Sequence, residues 1–364
     1  MATTNSCRGT WVPRSDLDNW DSEISMKTRR IGKTDLEVTE YSFGTAPLGG
    51  LYRPCPRDTG IATLQAAWDH GIRYFDTAPH YGFGQAERYV GDFLRDKPED
   101  SYVLSTKVGR LLAPVPKDQI PNVGFVDPLP FKLVYDYSYD GIMRSVDFSY
   151  ARLGLNRIDI LYVHDIGVYT HGREANDRYV KQLRDGGYKA LDQLKSSGAI
   201  KAFGLGVNEV PACLEMMADI DIDVILMAGR YSLLDRSAVE ELLPLCKKRG
   251  TSITAGGVFN SGILATGAVP GAHFDYAPVT DEVLGKVRAM EALAASAGKP
   301  LAQFALQFPL HHPAVASVII GTAKPESLDR NMALTTEELP GSAFAPFETH
   351  TLVAPPLGDA AVRE

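Results

Sequence analysis

Eight short, β-rich apolar runs alternate with helix-length segments along this chain, and that alternation restricts its fold more than any other feature. The runs cover residues 38–43, 72–75, 102–106, 158–163, 202–207, 224–227, 252–255 and 316–320. Helical segments between them include 58–71, 138–153, 179–198 and 237–250. In the last of these, Val239, Leu242, Leu243 and Cys246 recur at three- and four-residue steps, which predicts one buried face. Lys247, Lys248 and Arg249 then precede Gly250, placing cations at the negative end of the helix dipole before a glycine stop. Strands that alternate with helices pair in parallel, because parallel neighbours need a crossover. Eight such units predict an α/β fold, a closed (β/α)8 barrel of the TIM type, rather than an open sheet. The expected organisation is an N-terminal extension at 1–25, a single barrel at 26–350 and a C-terminal tail at 351–364.

Three segments interrupt the alternation. Residues 28–38 carry a Gly-Lys-Thr turn between β-like flanks and predict a hairpin ahead of the first barrel strand. Residues 111–137 contain Pro114, Pro116, Pro121, Pro128 and Pro130, too many for an interior helix or a central strand. They follow the third strand, so they are expected as a long loop at the C-terminal rim, where a surface excursion and a substrate-pocket wall are both open readings. A second long connection is expected at 165–176, after the fourth strand.

Charge and cysteine usage narrow the function classes. A net charge of −8 disfavours nucleic-acid and anionic-membrane partners. No run approaches 18 apolar residues, so no transmembrane helix is expected. Cys7, Cys55, Cys213 and Cys246 are far apart, with no CxxC pair, which suits a reducing cytoplasm and suggests no zinc site. The first 25 residues have no apolar run and do not read as a secretory signal.

Several motifs fail on inspection. Gly32-Lys33-Thr34 ends like a P-loop, but Lys27 stands where the first glycine is required. Gly82-Phe83-Gly84 and Gly204-Leu205-Gly206 begin the dinucleotide fingerprint, yet Glu87 and Glu209 replace its third glycine. His311-His312 lacks a third ligand at helical or strand spacing, and no metal site is expected.

Polar residues at the strand ends carry the chemistry. In such a barrel, residues just past the C-terminal strand ends converge on one pocket. Asp76 ends the second strand, with Tyr81 five residues later; Lys107 ends the third and His164 the fourth. Each alone has an ordinary reading as a helix cap, a core ring, a solvated cation or a core histidine. Together, in the contexts Phe75-Asp76-Thr77-Ala78-Pro79-His80-Tyr81-Gly82, Ser105-Thr106-Lys107-Val108-Gly109 and Tyr162-Val163-His164-Asp165, they resemble the aldo-keto reductases. The resemblance extends from about Thr28 to Asn331.

That resemblance implies a mechanism. Tyr81 would be the general acid for carbonyl reduction and the general base for alcohol oxidation. A free phenol has a pKa of about 10, and the nearby Lys107 cation, paired by Asp76, is expected to bring it lower. His164 would orient the substrate oxygen alongside Tyr81. Nicotinamide cofactor sites are implied at Thr45, Asp76, Asn208 and Tyr231, at Phe259, Asn260, Ser261, Gly262 and Leu264, and at Gly321, Thr322, Lys324, Ser327 and Asn331. The loop at 257–262 is expected to open a helix whose backbone N–H groups hold the pyrophosphate. Tyr231 would stack on the nicotinamide. NADP-preferring relatives carry Lys and Arg where Gly321 and Ser327 stand, so NAD(P) use with a preference for NAD is expected.

The segment 104–112, the residues Tyr137-Ser138-Tyr139-Asp140-Gly141 and the segment 258–264 resemble the aldose 1-dehydrogenase branch, including L-fucose and D-threo-aldose dehydrogenases; pyridoxal 4-dehydrogenases are similar. Such enzymes oxidise a cyclic hemiacetal to a lactone. The expected substrate is a small molecule, an aldose oxidised at C1 first, pyridoxal second and another secondary alcohol third. Two rival readings are a cofactor-binding regulatory subunit and a Schiff-base enzyme acting through Lys107.

Overall fold

The structure is a computed structural model in which residues 26–352 are described. The expected 1–25 extension, and the expected tail beyond Leu352, lie outside the described residues. The hairpin comes first: β1 (Thr28–Arg30) pairs antiparallel with β2 (Glu37–Thr39), Thr28 opposite Thr39. Val38 and Thr39 therefore belong to the hairpin, whereas the sequence pattern started the first barrel strand with them. The Glu40 amide still donates back to Lys27, and β3 (Tyr41–Gly44) starts only after it.

Alternation then proceeds through α1 (Arg57–Asp69), β4 (Tyr74–Asp76), α2 (Gln85–Leu94) and β5 (Val103–Val108). A ribbon follows, β6 (Arg110–Pro114) and β7 (Phe131–Tyr135), and then α3 (Tyr139–Leu153), β8 (Ile160–His164), α4 (Val168–Gln182) and α5 (Tyr188–Ser196). The second half runs β9 (Ala202–Val207), α6 (Val210–Asp219), β10 (Val224–Ala228), α7 (Leu242–Arg249), β11 (Ser252–Gly256) and α8 (Ile263–Thr266). It ends with the short pair β12 (His273–Phe274) and β13 (Ala277–Pro278), then α9 (Asp281–Ser296), α10 (Leu301–Gln307), β14 (Val315–Gly321) and α11 (Pro325–Ala333). Strands β3, β4, β5, β8, β9, β10, β11 and β14 close in parallel into a barrel, as the alternation predicted.

Side chains alternate across each strand, and here the period of two decides what faces the axis. In β5, Ser105 and Lys107 point inward, towards Asp76, while Thr106 points out and donates to the buried Glu87 of α2 at 2.8 Å. Tyr74 and Tyr162 face the axis and share a hydrogen bond of 2.8 Å. Ile31 and Val38 of the hairpin pack into the same inner cluster, so the hairpin plugs the N-terminal mouth. Outward residues such as Phe75, Leu104 and Leu161 join the larger core under the helices.

The structure corrects three local expectations. Residues 165–176 are mostly helical: α4 begins at Val168, and the non-helical Gly172, at φ 67° and ψ 164°, divides it into two helical pieces. Residues 111–137 are not simply a loop, because β6 and β7 pair from Arg110–Tyr135 to Pro114–Phe131. The prolines keep this ribbon out of the barrel sheet, and all but Pro114 lie in its connection. Val239 is 41% exposed, unlike Leu242, Leu243 and Cys246, because α7 starts only at Leu242 and residue 239 precedes its helical period.

Glu87 joins the strand to the helical shell. It accepts from Thr106 on β5 and, at 2.5 Å, from Arg152 on α3. Removing one partner of a buried pair leaves the other charge uncompensated, so Glu87→Ala is expected to lower stability by about 3–5 kcal/mol. Urea unfolding of the two proteins checks this, and a loss below about 1 kcal/mol would show that the pair does not hold β5 to α2 and α3.

Candidate active site

The inner-face residues at the C-terminal ends of β4, β5 and β8 meet at the base of a cavity of about 510 Å³. Lys107 and Asp76 are its innermost charges, with side chains 2% and 3% exposed. Lys107 Nζ donates to Asp76 Oδ2 at 2.6 Å and to the Thr77 carbonyl at 2.9 Å. Ser105 donates to the second Asp76 oxygen at 2.7 Å, so the carboxylate is bound on both sides. Gly206, opposite, leaves room for the lysine stem: a Cβ there would stand 3.4 Å from Lys107 Cε.

Tyr81 comes from the loop after β4. Gly82, at φ 63°, and Gly49 lie back to back, and a Cβ on either would fall 2.5 Å from the other's backbone. That close approach holds the loop so that the half-buried Tyr81 ring opens onto the cavity, its centroid 4.7 Å from Lys107 Nζ. The His164 ring meets Tyr81 edge-on, with centroids 6.0 Å apart. The structure thus brings Asp76, Tyr81, Lys107 and His164 together, as the strand-end reading expected.

Electrostatics divide the group into two kinds. Burial opposes the Lys107 charge, but Asp76 and Tyr81 outweigh it and hold the ammonium above its ordinary range. Burial pushes the Tyr81 phenol up from its ordinary value, and Lys107 pulls it back only in part. The expectation that Lys107 takes the phenol below about 10 is therefore right in the lysine's direction but not in the net shift. Burial, followed by the Arg110 and Lys107 cations, holds His164 well below the ordinary imidazole value, so it is neutral at pH 7. A locked, protonated Lys107 is unsuited to Schiff-base chemistry, which needs a free amine.

The other expected site residues divide differently. Asn208 lines the cavity. Thr45 lies beside Asp76, its amide donating to the Asp76 carbonyl at 3.0 Å, and its buried Oγ1 has no partner among the described residues. Ser261 Oγ accepts from the Tyr276 amide. Asn260 is buried and pins loops together, accepting from Ser232 and donating to the Gly229 carbonyl, and Leu264 is fully in the core. Phe259 is partly buried against that core. Gly262, at φ 96°, precedes α8, which is only four residues long. Gly321 pairs with Gly44 at the end of β14. Thr322 accepts from the Lys324 amide at the start of α11, and Ser327 accepts from Arg330 within that helix, which also carries Asn331. Tyr231 is not brought to the cavity: its ring packs on Phe308 at 5.2 Å and beside His312.

Sequence reasoning missed several cavity residues. Arg110 and Asp165 follow Lys107 and His164 by three residues and one, a charge spacing that was visible but unread. Phe125 and Tyr135 line the cavity from the 111–137 segment, as its pocket-wall reading has it, and Tyr52 and Tyr276 add aromatic walls from loops that the sequence did not single out. Among the described residues there is no helix long and apolar enough to cross a membrane, and no cluster of potential metal ligands.

Comparison with known proteins agrees with this geometry. Residues 41–351 match the pattern of the Aldo/keto reductase family. The chain is 44% identical to a pyridoxal 4-dehydrogenase of Microbacterium luteolum, covering 90% of this chain and 98% of that protein. It is 36% identical to a D-threo-aldose 1-dehydrogenase of Pseudomonas sp, covering 88% and 96%. An aldo-keto reductase of Bacillus halodurans, solved in its holo form, superposes with a TM-score of 0.72 at 25% identity, covering 93% of this chain and all of that one. These are the branches the residue motifs resembled. The eight-stranded barrel, the strand-end cluster and the matches place this chain in the aldo/keto reductase family of NAD(P)-dependent oxidoreductases.

Proposed function

We propose that this enzyme uses NAD⁺ to oxidise a cyclic hemiacetal to its lactone, with pyridoxal as the leading substrate and an aldose as the second. The observation that carries the reading is the buried Asp76–Lys107–Tyr81–His164 cluster beneath an aromatic-walled cavity. Flat rings such as Phe125, Tyr135 and Tyr276 suit a planar substrate. The higher identity to the pyridoxal enzyme points the same way and reverses the order expected from loop motifs alone.

In this reading Tyr81 takes the proton of the hemiacetal hydroxyl as the carbon loses hydride. His164, being neutral, donates a hydrogen bond to the same oxygen and orients it. Lys107 favours the phenolate form of Tyr81, and Asp76 keeps Lys107 in place and balances its charge. NAD⁺, when bound, supplies the hydride acceptor. The residues proposed to hold it are Thr45, Asn208, the 259–262 loop, Gly321, Thr322, Lys324, Ser327 and Asn331. The unpartnered Thr45 Oγ1 and His164 Nδ1, both buried, fit a polar ligand over the cluster. Turnover of pyridoxal, L-fucose and alicyclic alcohols, followed by NADH absorbance, tests the substrate reading; inactivity on both hemiacetals would remove it.

Tyr81→Phe keeps the ring and deletes the proton carrier. It should leave NADH binding, read by fluorescence titration, within about threefold, while turnover falls roughly 10²–10⁴-fold. Wild-type-like turnover in the folded variant would remove Tyr81 from the mechanism.

NAD⁺ is expected to give the higher kcat/KM, since neither Gly321 nor Ser327 offers a cation to a 2′-phosphate. Steady-state kinetics with both cofactors check this, and a tenfold advantage for NADP⁺ would refute it.

The pH dependence follows from the upward shift of Tyr81. Oxidation needs the phenol ionised, so initial-rate kcat/KM should climb with pH and still be rising near the ordinary phenol value of about 10. Reduction needs the phenol protonated and should stay flat over the same range. A flat oxidation profile, with a deuterium isotope effect showing that hydride transfer limits the rate, would contradict Tyr81 as the base.

A further inference from the structure

Arg110 has no part in the proton transfer, yet it is among the costliest groups in the cavity wall. It opens β6 three residues after Lys107, and its side chain is only 4% exposed. One terminal nitrogen donates to Asp165 Oδ2 at 2.6 Å. Its Nε is buried and has no partner among the described residues. The Tyr135 ring lies beside the guanidinium, 5.5 Å from Cζ to centroid. A buried guanidinium N–H without an acceptor is destabilising, and the site gains when a ligand completes it.

Asp165 is held for this contact against the preference of its backbone. Its φ is 45°, in the left-handed region, and its amide donates to the Gly206 carbonyl at 2.8 Å. The same carboxylate oxygen that takes Arg110 lies 3.5 Å from His164 Nε2. Asp165 therefore stands beside both the guanidinium and the imidazole assigned to the reacting hydroxyl.

We infer that Arg110 is the specificity-determining cation of this site: it takes an anionic oxygen on the substrate ring next to the carbon that carries the reacting group, with Asp165 holding it in position. The inference rests on the proposed hemiacetal oxidation in the same cavity. In pyridoxal the recognised group is the ionised 3-hydroxyl. That oxygen lies roughly 3 Å from the reacting oxygen, and His164 and Arg110 both stand against Asp165 in the same cavity wall. An aldose offers only neutral hydroxyls there, and a charge-assisted bond is about twice as strong as a neutral one.

The test compares kcat/KM with NAD⁺ for pyridoxal, its 3-O-methyl ether and L-fucose in the wild type, Arg110→Lys and Arg110→Met. Loss of a hydrogen bond to a charged group corresponds to about 10- to 100-fold. Arg110→Met should lose that factor on pyridoxal, chiefly in KM, and Arg110→Lys should recover part of it. The wild type should lose a similar factor on the ether, and Arg110→Met should then add less than about threefold. Equal losses on pyridoxal and its ether would overturn the inference and leave the proposed function standing. Equal wild-type kcat/KM on pyridoxal and its ether would do the same, with no variant needed to fold. A wild type that turns over L-fucose but not pyridoxal overturns the pyridoxal assignment and the inference together.

Discussion

A lysine ammonium and an aspartate carboxylate, 2.6 Å apart and almost wholly out of water, sit at the base of the cavity. The charge states of Tyr81 and His164 both respond to this lysine. Two isolated ions in such a position would each cost several kcal/mol, and the pair persists only because its remaining bonds are satisfied. Ser105 and the Thr77 carbonyl complete that satisfaction. The arrangement holds a fixed cation beside the Tyr81 ring without letting water screen it. Burial, followed by Arg110 and this same cation, keeps His164 neutral.

The barrel supplies the precision that such a pair demands. Asp76 and Lys107 come from neighbouring parallel strands, and the ladder places Asp76 directly opposite Ser105, two residues before Lys107. Period-two alternation puts all three on the inner face, while Thr106 between them reaches out to Glu87. The hairpin plug below and the helical shell outside make the base of the barrel a packed core, so the cavity opens only towards the loops. Asp76, Lys107 and His164 therefore stand on rigid strand ends, while Tyr81 and the aromatic walls come from the ribbon and loops around them.

How much of this could be read beforehand follows from the same division. Strand ends were legible because β-rich runs of four to six residues leave little freedom in where they stop, and the polar residue at each stop stands out. Asp76, Lys107 and His164 were found in that way. The helical stretch at 168–178 was not, because the non-helical Gly172 divides it into short pieces. Val239 fits a helical period by spacing, yet it precedes the helix. Tyr231, expected after β10 to stack on the nicotinamide, packs its ring on Phe308 at 5.2 Å. Conversely, Tyr276 enters the cavity from a connection whose course depends on long-range contacts that no local pattern encodes.

The central claim is that the Lys107 cation, against the effect of burial, governs the proton on Tyr81. The direct measurement is a ¹³C NMR titration of tyrosine Cζ in labelled protein, with the Tyr81 resonance assigned by its absence in Tyr81→Phe. The account predicts that in the wild type this phenol stays protonated through about pH 10, and that in Lys107→Met its midpoint moves further up. A Tyr81 midpoint unchanged by loss of the Lys107 charge would contradict the account.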